Sequence, residues 1–352
     1  MTTNSEPRPS AADGARRLLA FLAERRENLS PLLILTHDYP DPDALASAFA
    51  LQYLAQTSFG IPSRIVYGGE LGRTENRVMA KLLRIPAHRL PPGLLKHSRN
   101  VALVDTQPDF DNNPFPRGRR ATLVIDQHPS RVAPEADLAI IDPACGATCA
   151  IVAQALLAQG AVLTERVATA LAYGILTDTQ EFYRARRADV IQTYLQILPH
   201  ADMRDLALIQ NPTRTRRFFS TVAKGIREAT LYGHLLVTHL GAVEAPDLVS
   251  QVAEFLVAYR GAVWCLATGR YKGRLHASLR TSRNDAPAGA VLRDVFDDPR
   301  QAGGHGPIAG GSCPLNAAAP EEAWQAAERR LQERLRKRLR VAVKAPPRKP
   351  FG

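Results

Sequence analysis

The sequence predicts an α/β fold: a mainly parallel sheet in the N-terminal part, then a smaller C-terminal α/β domain. Short apolar runs at 32–36, 101–104, 122–125 and 138–141 have the length of strands buried on both faces. The last three are each followed at once by an acid, Asp105, Asp126 and Asp142, where open parallel sheets place their ligand sites. Beyond residue 217 the pattern shifts to a probable hairpin and a glycine-rich stretch.

Residues 1–14 are polar and are expected to be disordered. A first helix is expected at 15–26, with Leu18, Leu19, Phe21 and Leu22 on its apolar face. The strand at 32–36 leads into His37-Asp38-Tyr39-Pro40-Asp41-Pro42-Asp43, then a helix from Ala44 on through Leu54 that Asp43 can cap. A strand at 63–67 meets a Gly68-Gly69 turn, and a helix at 76–83 stops near Pro86. The strands around Asp126 follow so closely that little room remains for a crossover helix. Helices are expected at 148–159, ending near Gly160, at 164–176 with Thr164 as N-cap, and at 188–198 before Pro199. Asp178 then falls just past a helix end. In the second part a strand is expected at 232–238 and a helix at 247–258. A hairpin is expected from 262–267 and 275–281, then a helix at 287–296, a glycine-rich loop at 303–311 and a helix at 321–341. The last helix puts Trp324, Leu331, Leu335 and Leu339 near one face.

A chain of 352 residues, 45% apolar and 22% charged, is long enough for two cores. The expected division is a disordered 1–14, a first domain at 15–198, a linker at 199–217, a second domain at 218–342 and a basic tail at 343–352. No apolar run reaches the roughly 18 residues of a membrane span, and no secretory signal is visible, so the expected location is the cytoplasm. Cys145, Cys149, Cys265 and Cys313 are scattered, as packed, reduced thiols would be. The net charge is +11; ten Lys/Arg against four Glu from Glu321 onward supply more than half of it. That end suits a polyanion such as RNA, or simply a solvated helix face.

The chemistry centres on H-x3-D-x-D at His37, Asp41 and Asp43. Imidazole nitrogen with carboxylate oxygen suits Mn²⁺, with Mg²⁺ as an alternative, and two prolines stiffen the loop. Alone, the same residues also suit a βα loop whose aspartates cap and turn.

Together the motifs resemble the DHH phosphoesterase family. The first is His37-x3-Asp41-x-Asp43, the second Val104-Asp105-Thr106, the third Asp126-Gln127-His128 and the fourth Tyr173 to Thr179 with Asp178. Ser278-Leu279-Arg280 and Ala302-Gly303-Gly304-His305 resemble the associated DHHA1 domain. Gly72-Arg73-Thr74-Glu75-Asn76 is similar to a segment of the short nanoRNase and pAp-phosphatase type. The resemblance covers roughly residues 30 to 315. It implies a Mn²⁺-dependent hydrolase, a phosphodiesterase or exonuclease using two ions to attack short oligoribonucleotides, pNpN dinucleotides or nucleoside bisphosphates such as pAp. It implies metal ligation by His37, Asp41, Asp43, Asp105, Gln127, His128 and Asp178, with Asp105 bridging. Catalytic roles fall to His128 and Asp126, and substrate contacts to Arg280, Gly303, Gly304 and His305. The partner implied is a short RNA or nucleotide, with no membrane; a homodimer is compatible with it. Two departures stand out: Gln127 replaces a histidine that usually binds metal, and Ala302 replaces a glycine. The alternatives are a nucleotide- or RNA-binding protein with weakened catalysis, and a pyrophosphatase-like phosphoanhydride hydrolase.

Overall fold

In the computed structural model, which describes residues 11–130, 132–183, 185, 187–283, 285–341 and 346–352, helix α1 (Ala11–Arg25) comes first. Residues 11–14, expected to be disordered, are therefore helical; residues 1–10 lie outside the described residues. The reason is packing: a Cβ on Gly14 would sit 3.1 Å from Ile140 of the sheet.

The chain then runs β1 (Leu32–Leu35), α2 (Pro42–Phe59), β2 (Ser63–Tyr67), α3 (Thr74–Leu82), β3 (Ala87–Arg89) and α4 (Leu94–His97). Next come β4 (Asn100–Val104), β5 (Ala121–Asp126) and β6 (Ala136–Ile141). Helices α5 (Thr148–Ala158), α6 (Glu165–Asp178), α7 (Ala188–Ile197) and α8 (Met203–Gln210) follow. The six strands pair in parallel in the order β3-β2-β1-β4-β5-β6, as the apolar runs predict. Alternation in β1 sends Leu32 and Ile34 into a core shared with α1, α2, α5 and α6. Leu33 and Leu35 enter a second core with Val66, Leu103 and Val124. All four β1 side chains are buried, and each contributes about 1.5–3 kcal/mol, enough to fix a strand this short at the sheet centre. As the spacing predicts, no helix joins β4 to β5 or β5 to β6 among the described residues.

The chain divides into two compact units, Met1–Pro212 and Thr213–Gly352. The stretch 199–217, expected as a linker, contains α8, whose Leu206 and Ile209 are buried in the first core. The second unit holds α9 (Arg216–Glu228), β7 (Thr230–Tyr232), β8 (Leu235–Ala242), α10 (Asp247–Val257), β9 (Trp264–Tyr271) and β10 (Arg274–Thr281). It continues with α11 (Ala288–Arg293), β11 (Ala302–His305), β12 (Ile308–Pro314) and α12 (Glu321–Arg338). The strand order is β11-β12-β10-β9-β8-β7, antiparallel except for β8 beside β9. The strand expected at 232–238 is a hairpin instead, because Gly233 adopts φ +59 and turns the chain between β7 and β8. The glycine-rich loop expected at 303–311 is also a hairpin, β11 to β12. A Cβ on Gly304 would stand 2.2 Å from the Ile308 carbonyl, and one on Gly289 of α11 2.2 Å from the Gly304 carbonyl. These two glycines permit close backbone packing. The tail residue Arg348 pairs with Leu231 of β7, and Lys349 Nζ reaches the Glu228 carbonyl at the end of α9 (3.1 Å).

Candidate metal centre

The centre lies where β1, β4 and β5 end and α2, α5 and α6 converge. His37 follows β1, on a loop held by side and main chain alike. Asp38 N–H donates to the Asn112 carbonyl (2.7 Å), and Asn76 Nδ2 donates to the Pro40 carbonyl (3.0 Å). The loop rests on Gly68-Gly69, where a Cβ on Gly68 would stand 1.9 Å from Asp38 Oδ1.

Asp41, not Asp43, caps α2: its Oδ1 accepts from Ala44 N–H at 3.0 Å. Asp43 lies one step inside the helix, where its buried carboxylate reaches another element. It accepts from the N–H groups of Thr148 and Cys149, both at 2.7 Å. Residue Ala147, at the N-cap of α5, has no side-chain oxygen, so Asp43 supplies that cap from outside.

Asp105 follows β4 with φ +58, a left-handed conformation that aspartate tolerates better than most residues. Its N–H continues the sheet to the Ile125 carbonyl (2.9 Å), while its carboxylate turns into the centre. Oδ1 accepts from the Thr148 hydroxyl (2.7 Å) and stands 3.7 Å from His128 Nδ1; Oδ2 stands 3.6 Å from His37 Nε2. Asp126, fully buried at the end of β5, holds His128 through Nδ1 (2.8 Å) and the backbone N–H (3.1 Å). Gln107 Nε2 donates to the other Asp126 oxygen (2.8 Å) and to the His128 carbonyl (2.9 Å). Asp178 is the last residue of α6 rather than just past its end, because the helix runs two residues beyond the expected Leu176. Gln127 Nε2 donates to its Oδ2 at 2.5 Å.

Two overlapping groups of ligand atoms result. His37, Asp41 and Asp105 place their atoms within 4.8 Å of one another, and so do Asp105, Asp126 and His128. Asp105 belongs to both. Burial pushes the Asp43 carboxyl well above its usual range, and the negative charges of Asp105, Asp178 and Asp41 push it further. Burial raises Asp105 in the same way. Burial opposes the charged forms of His37 and His128, but the carboxylates beside them outweigh it and raise each to about 10. His37 in turn offsets burial at Asp41 and holds it down to about 2. A crowd of carboxylates retaining protons on its histidines is a site that a divalent cation would neutralise, and its oxygen and imidazole donors fit one.

In the second unit Arg280 lies on β10, buried, with Nη1 donating to Ser278 Oγ (2.9 Å) and the Ala309 carbonyl (3.0 Å). It lines a concave region of about 320 Å³ with Ser250, His276, Ser278 and Gly310. Gly303 is one strand further out, paired with Gly310, and a Cβ there would meet open space; Gly304 is packed. The side chain of His305 lies outside the described residues.

Thr148, Gln107 and Asn112 escaped the sequence reading. Thr148 opens a helix and reads as an ordinary start residue; its contacts, 43 and 105 residues distant, leave no local signal.

Residues 31–175 match the model of the DHH family, N-terminal domain. The uncharacterized protein MJ1633 of Methanocaldococcus jannaschii is 28% identical over 328 residues, 93% of this chain and 67% of that protein. The uncharacterized protein MG371 of Mycoplasma genitalium is 27% identical over 150 residues, 43% of this chain and 45% of that protein. An exopolyphosphatase-related protein from Bacteroides fragilis shares the fold, with a TM-score of 0.66 at 14% identity over 93% of this chain and 97% of its own. No helix among the described residues is long and apolar enough to cross a membrane.

Proposed function

We propose, from the premise that the N-terminal unit belongs to the DHH family, that this chain is a metal-dependent phosphoesterase of short ribonucleotide substrates. The substrates are short oligoribonucleotides, pNpN dinucleotides or nucleoside bisphosphates such as pAp, met in the cytoplasm. The supporting observation is that the ligand atoms of His37, Asp41 and Asp105 lie within 4.8 Å of one another, with Asp126 and His128 grouped on the other side of Asp105. The mixed imidazole and carboxylate donors favour Mn²⁺ over Mg²⁺. When bound, a pair of such ions activates water and neutralises a phosphoryl group. In this reading His37, Asp41 and Asp105 would hold one ion, and Asp43 and Asp178, which the family resemblance adds, would complete a second site with Asp105. Asp43 keeps acceptor capacity on Oδ2, which accepts the Thr148 N–H and has a second lone pair, while Oδ1 accepts from Cys149 N–H and Ser47 Oγ. His128, oriented through Nδ1 by Asp126, holds a proton for the leaving oxygen. Arg280 offers a guanidinium to a phosphate of the substrate.

The test is turnover with Mn²⁺ on pAp, pNpN dinucleotides, a pentaribonucleotide, pyrophosphate and polyphosphate, beside an Asp105→Ala control. Polyphosphate is included because the Bacteroides fragilis neighbour is described as exopolyphosphatase-related. Turnover of the ribonucleotides that the control lacks supports the reading. Turnover of the phosphoanhydrides alone replaces it with a pyrophosphatase-like hydrolase. Equal background from both proteins favours a nucleotide- or RNA-binding protein without catalysis. That second reading is motivated by Gln127, whose amide nitrogen is directed at Asp178.

A further inference from the structure

We propose that Thr148 is a positioning residue that locks Asp105, the carboxylate common to both ligand groups, in its metal-binding orientation. The inference rests on the metal-centre reading above and adds a residue to it.

Thr148 is fully buried at the first position of α5. Its hydroxyl has one hydrogen, and two neighbours settle where it points. The Gln127 N–H donates to Thr148 Oγ1 at 3.1 Å, so the oxygen is already an acceptor. Asp105 Oδ1 stands 2.7 Å away, and an ionised carboxylate can only accept. The Thr148 hydrogen is therefore committed to Asp105, in a directed chain from the Gln127 backbone through the hydroxyl to the carboxylate.

The same residue holds a second carboxylate by its backbone, through the N–H that Asp43 Oδ2 accepts at 2.7 Å. Thr148 thus ties the end of β4, the start of α2 and the residue after β5 to one helix start. Asp105 needs such a tie. It sits at φ +58, and the histidine nitrogens beside its two oxygens are 3.6 and 3.7 Å off. Of these three contacts the hydroxyl is the shortest. It fixes the carboxylate plane so that one oxygen faces His37 and the other His128. Groups that orient a ligand in this way typically change metal affinity by about 10–100-fold.

Thr148→Val keeps the shape and the backbone N–H to Asp43 but removes the hydroxyl; Thr148→Ser keeps the hydroxyl and removes the methyl. Mn²⁺ calorimetry is run on both, on the wild type, and on Asp105→Ala with and without Thr148→Val. The expected result is about 10–100-fold weaker Mn²⁺ binding for Thr148→Val and near wild-type binding for Thr148→Ser. No further loss is expected when Thr148→Val is added to Asp105→Ala, because alanine has no acceptor for the Thr148 hydroxyl and the two changes act through one bond. A fold defect alone would lower the melting temperature without producing this pattern. Wild-type affinity in Thr148→Val overturns the inference and leaves the metal reading standing. Equal losses in the Ser and Val variants overturn it too, since the methyl would then be the cause. A wild type that binds no divalent ion overturns the metal reading and this inference together. If Thr148→Val does not fold, Thr148→Cys takes its place. Its weak S–H donor should give a loss as well, and wild-type affinity there would overturn the inference.

Discussion

The side-chain amide nitrogen of Gln127 lies 2.5 Å from Oδ2 of Asp178, joining the end of β5 to the end of α6. It is also 3.5 Å from His128 Nε2. The amide donates to the Asp178 carboxylate, whereas a neutral imidazole at this position would offer one donor and one lone pair. Residue 127 therefore neutralises part of the Asp178 charge from within the protein, by a hydrogen bond of the charged kind worth about 1.5–3 kcal/mol. Where a metal ligand is expected, this chain carries a donor already in use.

Asp105→Asn should abolish turnover and leave the protein folded. The shared carboxylate loses its charge, so at most one ion should remain bound. The apo protein should keep its fold, since the relief of repulsion on Asp43 offsets the charge lost beside His37 and His128. Mn²⁺ calorimetry with a thermal melt checks both halves. Two ions bound at unchanged affinity would rule out a shared ligand.

The two histidines set a pH dependence. Each is raised from 6.5 to about 10 by its carboxylates, against the effect of burial. A histidine with a raised folded value contributes stability that is complete below its unfolded value and is lost as pH climbs to the folded one. Apo stability should therefore decline between about pH 6.5 and about 10. An ion held by His37 would take the place of that histidine's proton, so the gain in melting temperature from Mn²⁺ should grow over the same window. Near neutral pH, binding should release the His37 proton, measurable by calorimetry in buffers of different ionisation enthalpy. No proton release would mean that the ion leaves the His37 imidazole untouched.

The strand ends were legible because buried parallel strands are short apolar runs, and the acids at 105 and 126 mark where those runs meet the crevice. Which aspartate caps α2 was not. Asp41 and Asp43 both precede the helix in sequence, and only the fold shows that Asp43 faces the start of α5. The hairpin at 302–314 was hidden for a different reason. Its glycines read as a loop, yet they are there so that α11 and the strands can approach each other's backbones. Short β3 and α4, and α8 within the expected linker, carry too few periodic residues to stand out.

Gly174→Ala should disturb the centre from α6. A Cβ there would be 2.9 Å from Ala46 Cβ, 2.9 Å from Cys149 Sγ and 3.2 Å from the Pro42 carbonyl. All three belong to α2 or α5, which carry Asp43 and the N–H groups it accepts from. Overpacking of this kind costs about 1–3 kcal/mol. Chemical denaturation should show that loss, with weaker Mn²⁺ binding beside it. An unchanged midpoint would mean that α6 shifts freely.

Arg280→Ala should raise KM for nucleotide substrates more than for a small artificial phosphodiester. The residue belongs to the second unit and lines the concave region with His276 and Ser250. Binding energy from parts of the substrate away from the reacting bond can also lower the barrier, so kcat for the nucleotide should fall as well. Equal damage to both substrates would make Arg280 a strut for β10 and β12, a role its bond to the Ala309 carbonyl would serve.

Gln127→His separates the enzyme reading from the binding reading. The substitution replaces an amide donor with a ring nitrogen able to ligate, and it releases Asp178 from the 2.5 Å bond. Both changes return ligand capacity to the ion that Asp43 and Asp178 are proposed to hold. Mn²⁺ affinity at that site should rise about tenfold, a gain of about 1.4 kcal/mol. The rate at limiting Mn²⁺ should rise with it, while the rate at saturating Mn²⁺ changes less. The counter-effect is local shape: Gln127 is partly buried, with its N–H on Thr148, and an imidazole that misses Asp178 would leave that carboxylate poorly placed. Titration of rate against Mn²⁺ for both proteins decides between these outcomes. A wild type already saturated at micromolar Mn²⁺, and not improved by the substitution, would show that the Gln127–Asp178 bond does not weaken the second ion's site.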